Sequence, residues 1–286
     1  MIPHAVLQKI PAFGLSDYAT PVERITRLLV IIFAALVLLF LVAPLFVVIP
    51  LSLSKEPFFT FPIHHYSWRW YVNFFADVRW MAAMENSFVT GIGTMILATI
   101  LGSLASLGVA RPEFPYRRLV MSLLISPMII PIVVVAVGTY LVYAQFGLVN
   151  TRMGLILGHT GLATPYVVMT VTATLANYDT NLTRAAHSLG ASAWSCFWRV
   201  TFPQIMPGMV SGAILAFAMS FDEVVMASFL TNAERRTLPV QMFAGIRDLV
   251  NPTIMAAATL LLMVSMGLFG ILTLLSRRGG KSSKTA

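Results

Sequence analysis

The chain has one cysteine in 286 residues, Cys196, so an internal disulfide and any cysteine-built metal site are excluded. Charge is equally scarce: Asp, Glu, Lys and Arg make up 10% of the residues, too few to cover a soluble surface of this size. There is no Gly-x-x-x-x-Gly-Lys-Ser/Thr run, so the chain builds no phosphate-cradling loop of its own, and there is no His-Glu-x-x-His zinc motif. The five histidines, His4, His64, His65, His159 and His187, show no ligand spacing beyond one adjacent pair, and neighbours in a helix point apart. Neither a metal nor a catalytic residue is expected.

What fills the chain is apolar. Residues of hydrophobic type reach 58%, with a mean hydropathy of +0.82. One soluble core cannot hide that much apolar surface, so the chain is read as an all-α membrane protein. Crossing about 30 Å of hydrocarbon takes roughly 20 apolar residues. Six segments qualify: Leu28–Leu53, Ser87–Ala110, Leu119–Phe146, Gly154–Ala176, Gly208–Leu230 and Ile254–Leu275. The polar residues Met1–Arg27 precede the first run, and no small-residue cleavage site follows it; a retained first helix is the expectation. The domain reading is a cytoplasmic segment over 1–27, one six-helix membrane domain over 28–275 and a disordered basic tail over 276–286.

Orientation follows from Lys and Arg in the short connections. With the N-terminus inside, 12 of them fall on inner pieces, including Arg117, Arg118, Arg184, Arg199, Arg277 and Arg278. The other seven, Lys55, Arg69, Arg79, Arg152, Arg235, Arg236 and Arg247, fall outside, so both termini are placed inside. The net charge of +8 is read as topology and headgroup contact and not as nucleic-acid binding. The outer loop Ser54–Asn86 carries Trp68, Trp70, Tyr71, Phe74, Phe75 and Trp80, the composition of an interfacial aromatic belt. Small residues crowd the second span (Gly91, Gly102, Ser103, Ser106) and the fourth (Gly154, Gly158, Gly161, Ala163), which places these spans inside a bundle or at a subunit interface.

Two features carry candidate function. Asp222 and Glu223 interrupt the fifth span about 20 Å from its inner end, where carboxylates mark a functional site by default. The competing reading is an early helix end with Asp222 capping an outer half-helix. His159, Thr164, Pro165 and Tyr166 put polar groups and a helix breaker inside the fourth span, either lining a path or bonding between helices. The second feature is the inner connection at about 177–207. Asp179, Asn181 and Thr183 offer cap oxygens, and Ala185, Ala186 and Leu189 recur at helical spacing. Gly190 permits a tight turn before Ala191, while Trp194, Phe197, Trp198 and Thr201 repeat at i, i+3, i+4 and i+7. Pro203 and Pro207 are expected to stop this second short helix before the fifth span begins. An exposed aromatic elbow of this kind predicts a docking partner on the inner side.

These residues resemble the EAA loop of permeases in binding-protein-dependent ABC importers. Ala185, Ala186, Gly190 and Pro203 match that pattern, while Arg184 stands where the family carries Glu, a reversal of charge. Asn86-Ser87, His159 with Ala163–Val168, Ser220–Val225 with Phe229, and Thr237-Leu238-Pro239 look most like the spermidine/putrescine permease subfamily. The resemblance implies the type I importer fold in the bacterial inner membrane. It implies a second, related permease chain, two cytoplasmic ATPase subunits that bind the ATP and Mg²⁺, and a periplasmic substrate-binding protein. It further implies that Ala185–Gly190 seat in an ATPase groove, next to Arg184 and Ala191, braced by Trp194, Phe197 and Trp198. The chain itself would carry no cofactor and catalyse no reaction. The alternatives are a permease for an opine, an amino-acid-derived solute or aminoethylphosphonate. An intramembrane hydrolase built on Ser103 and His159 is a reading of another class, and a secondary carrier would require inverted repeats and broken helix pairs, which the sequence does not display.

Overall fold

A computed structural model describes residues 21–282 except 59, 112, 113 and 249–251. The expected segment 1–27 therefore lies largely outside the described residues. Five helices are long and apolar enough to cross a membrane, and a bent pair brings the number to six if it forms one span. Among the described residues there is no strand, only an isolated bridge between Ser54 and Tyr66.

Helix α1 (Pro21–Ser52) is apolar all round and almost wholly exposed, with α12 (Thr253–Ser282) as its main neighbour. The core is elsewhere. It consists of α3 (Val78–Val109), α6 (Arg152–Ala176) and α9 (Phe202–Phe221), which pack on one another as a three-helix unit. Small residues make that approach possible. A Cβ on Gly212 of α9 would lie 2.5 Å from Thr170 Oγ1 and 2.9 Å from Val167 Cα of α6, and one on Gly102 of α3 would lie 2.7 Å from Val167 Cβ. Val167 is thus clasped from two sides at a distance only glycine permits. The small-residue stripes of the second and fourth spans are accordingly interior, except for Gly161, which is exposed. Pro165 lies inside α6 without breaking it.

Four sequence expectations need correction. The third span is not one helix. It divides into α4 (Arg117–Ile125), a 3₁₀ turn over Ser126–Met128 and α5 (Ile132–Gln145), bent by 97°. Pro127 and Pro131 are the cause, since each lacks the amide that would carry the helix across the bend. The fifth span is also broken. Its helix ends at Phe221, and a separate six-residue helix, α10 (Val225–Leu230), follows. Helix α3 begins nine residues before Ser87, because Asp77 caps it by accepting from Arg79 N at 2.8 Å. Finally, the tail is helical as far as Ser282 and not a disordered end from Arg277 onward.

The aromatic outer loop divides in two. Helix α2 (Arg69–Ala76) turns Trp70 and Phe74 inward, and Phe74 joins Trp80, Leu238 and Ile254 in a core cluster. Trp68, Val72 and Phe75 stay exposed as the belt reading expects. The helix between the fifth and sixth spans, α11 (Leu238–Asp248), was not anticipated. Asn86 and Ser87 hold its entry: Asn86 Nδ2 donates to the carbonyls of Glu234 and Arg236, both at 3.2 Å, and Ser87 Oγ accepts from Leu238 N at 2.7 Å.

The glycine contacts carry a prediction. Gly212→Val drives a branched side chain into Thr170 and the α6 backbone and should cost about 1–3 kcal/mol of stability through overpacking. A lowered melting temperature in detergent is expected, against no change for Gly267→Val, whose Cβ would meet nothing within 4 Å.

Candidate functional site

The break in the fifth span is made by Glu223. Its Oε1 accepts from Met226 N and its Oε2 from Ala227 N, both at 2.9 Å, which satisfies the first free amides of α10. The side chain is buried, 6% exposed. An early helix end with a capped half-helix is therefore what forms, but the cap is Glu223 and not Asp222. A buried carboxylate is tolerable only when hydrogen-bonded and charge-compensated, and His159 sits beside it.

His159 of α6 is fully buried. Its Nδ1 lies 2.8 Å from Ser220 Oγ on α9, and its Nε2 lies 3.4 Å from Glu223 Oε2. That second contact is outside hydrogen-bond geometry; it is an electrostatic contact, attractive when the imidazole carries both protons. Ser220 Oγ donates in turn to Thr94 Oγ1 of α3 at 3.3 Å, and Thr94 Oγ1 donates to the Ile156 carbonyl at 3.5 Å. One polar chain thus joins all three core helices to the start of α10.

Asp222 is in the opposite situation. It is exposed, no ion-pair partner stands against it among the described residues, and it lines a cleft of about 600 Å³. The other walls include Tyr166 of α6, Ile132 of α5, Met219 of α9 and Val225 of α10. Asp222, Glu223 and Tyr166 meet at this cleft, while His159 stands behind it. The polar groups of the fourth span therefore divide: Tyr166 faces the cleft, and His159 bonds between helices. Ser220 and Thr94 were missed, because a single hydroxyl in an apolar run reads as ordinary small-residue packing.

The inner elbow is the second candidate. Helix α7 (Thr180–Ser188) is capped by Asp179, which accepts from Asn181 N at 2.9 Å. It ends on Gly190 at φ +82°, a left-handed conformation costly to any residue with a Cβ. Gly190 N donates to the His187 carbonyl at 2.9 Å and Ala191 N to the Ala186 carbonyl at 3.0 Å, the paired bonds of a Schellman turn. Arg184 and Ala185 are exposed, Ala186 is half-buried, and Leu189 and Trp194 project at 89% and 73% exposure.

Past the turn the expectation fails. Helix α8 (Ala193–Cys196), a π-helical turn over Phe197–Thr201 and α9 run on as one span of 29 residues, so Pro203 and Pro207 do not stop it. Pro203 falls at the start of α9, where a missing amide costs little, and the π turn takes up the misfit: Phe202 N donates to the Phe197 carbonyl. Trp194, Phe197, Trp198 and Phe202 form a ladder of ring contacts, with centroids 4.8–6.1 Å apart. Cys196 is the buried side chain of this turn, a small apolar filler.

Ser103 and His159 do not form a catalytic pair. Ser103 lies nine residues, about 13 Å, further along α3 than the Thr94 that reaches Ser220 and His159, and the adjacent Gly102 faces Val167. The broken spans, conversely, resemble what a secondary carrier would need.

Comparison with known proteins decides between these classes. Residues 98–279 match the family described as "Binding-protein-dependent transport system inner membrane component". The chain belongs to this permease family. The permease is 28% identical over 86% of its length to the spermidine/putrescine transport system permease protein PotC of Haemophilus influenzae, of which 95% is covered. It is 30% identical over 78% of its length to the putrescine transport system permease protein PotI of Escherichia coli, with 82% of that chain covered. In structure it resembles a chain of a bacterial ABC transporter that imports the acidic polysaccharide alginate, with a TM-score of 0.74 at 15% identity over 90% of this chain and 99% of the other. The protein is a multi-pass inner-membrane permease subunit of an ABC importer with the type I fold, and not itself an enzyme.

The two adjacent carboxylates should separate on substitution. Glu223→Ala removes both cap bonds of the permease's half-helix and should cost about 1–2 kcal/mol, whereas Asp222→Ala, at an exposed position, should stay within about 0.5 kcal/mol. Thermal unfolding in detergent checks both.

Proposed function

We propose that this permease passes a small organic cation of the polyamine class, spermidine or putrescine, across the inner membrane. The observation that carries the reading is Asp222: an exposed, unpaired carboxylate in the cleft beside the broken span, with Tyr166 opposite. A lone anion at that depth is stabilised by a passing cation. The names of the PotC and PotI relatives support the same class.

In this reading the permease works with a second permease chain, two ATPase subunits that hold ATP and Mg²⁺, and a periplasmic binding protein that delivers the solute. The elbow offers the ATPase its exposed residues: Arg184, Ala185, Leu189, Gly190 and Trp194, with Ala186 and Ala191 behind them. Phe197, Trp198 and Pro203 form the root of the lever. From Ala193 to Phe221 the helix is continuous, about 43 Å of rod. A push at Trp194 therefore reaches Asp222 without crossing a loop. ATP binding would tilt this rod and open the cleft outward, and hydrolysis would return it. Arg184, cationic where the family pattern is acidic, calls for an acidic contact on the ATPase.

The test is uptake by the complex reconstituted in liposomes with its binding protein. Asp222→Asn should raise the KM for spermidine or putrescine about tenfold, the loss of one charge-assisted contact, with the ATPase rate stimulated by the binding protein retained. An unchanged KM, or preferential uptake of an anionic or zwitterionic solute, sinks the cation reading. Gly190→Asp tests the elbow separately: a left-handed turn with a new anion should leave the protein in the membrane while uptake per ATP hydrolysed falls about tenfold.

A further inference from the structure

We propose that His159 is a positioning residue for transport: through Ser220 and Glu223 it seats the half-helix α10, and with it the α5 wall of the Asp222 cleft. The proposal rests on the reading of that cleft as the solute path.

The chain of contact is complete. Helix α10 is separated from α9 at residues 222–224, so nothing helical holds its near end. That end is held by Glu223, which accepts from the amides of Met226 and Ala227 in its first turn. The far end is held by Asn150, whose N–H donates to the Leu230 carbonyl at 2.8 Å from the turn between α5 and α6. Between these points Met226, Ala227 and Leu230 share one apolar cluster with Ala136 of α5 and Leu155 and Leu162 of α6, and Ile132, Val135 and Tyr143 pack against it. Helix α5 rests chiefly on α10. Ile132 and Val225 both line the cleft, so a shift of α10 moves two of its walls together.

The hydrogens along the polar chain have a direction. Thr94 gives its hydrogen to the Ile156 carbonyl, and Ser220 gives its own to Thr94. Ser220 is left to accept, which assigns a hydrogen to His159 Nδ1. His159 Nε2 then faces the carboxylate and attracts it only when that nitrogen is protonated as well. The ring edge stands 3.4 Å from Glu223 Oε2, beside the two amides that the carboxylate accepts from, which leaves Asp222, one residue away, as the carboxylate free to meet solute.

Two replacements dissect the ring. The amide nitrogen of His159→Gln reaches the position of Nε2, and that of His159→Asn only the position of Nδ1. Spin labels at exposed Ser228 on α10 and Met169 on α6, in a Cys196→Ala background, report the seat of α10 without solute. His159→Ala should broaden and shift that distance and lower maximal uptake about tenfold, with KM changed less than about twofold. Gln should restore both readings and Asn neither. An unchanged distance in His159→Ala overturns the proposal, and so does equal rescue by Asn and Gln, which would assign the role to the Ser220 bond alone. Asp222→Asn measured alongside keeps the two readings apart: its KM reports the solute path, the label distance reports the seat.

Discussion

A carboxylate enclosed among apolar helices is the constraint around which the outer half of this permease is arranged. Glu223 is buried with two amides and an imidazole around it. Removed from water, an ionised carboxylate costs several kcal/mol unless its lone pairs and charge are met. Meeting them takes the amides of Met226 and Ala227 near the start of α10 and an imidazole from another helix. The break in the fifth span, the position of α10 and the burial of His159 all follow from that requirement. Prolines set the complementary break in α4–α5, where missing amides do by sterics what Glu223 does by electrostatics.

The inner half obeys a different rule. There the decisive group is Gly190, whose positive φ closes the turn and lets α7 fold back beside the start of α8. Beyond it the helix does not stop: one π turn takes up the register just before Pro203, and Pro207 is carried inside α9. The elbow is therefore a short arm joined to a long rod. On the proposed docking role, the joint at Gly190 lies between the part that meets the ATPase and the helix that reaches the cleft.

Much of this was legible. Apolar runs located the five long helices and the bent α4–α5 pair, small residues marked interior faces, and Asp179, Gly190 and the aromatic repeat marked the elbow. The candidate carboxylates were legible too, since charge inside a span is conspicuous. What could not be read was which of the two turned inward. Asp222 and Glu223 are adjacent, about 100° apart on a helix, and composition treats them alike. The longer Glu side chain reaches back over the two amides three and four residues on, and that choice depends on His159, 64 positions earlier in the chain. The contact between Asn86-Ser87 and residues 234–238 was hidden for the same reason. Both halves were visible as motifs, but no local pattern joins them.

The separation of roles between neighbouring carboxylates bears on how such a path can be both stable and permissive. If both presented unbonded carboxylates to the cleft, mutual repulsion would favour holding a cation permanently, and release would be slow. With Glu223 bonded inside the protein, the polyamine reading leaves Asp222 to present a single charge, enough to attract an organic cation and too little to trap it. In the same reading that charge sits at the end of a continuous helix, and a tilt of the helix would change its surroundings. The same side chain can then bind in one state and let go in the other, which is the minimum that alternating access demands of a site.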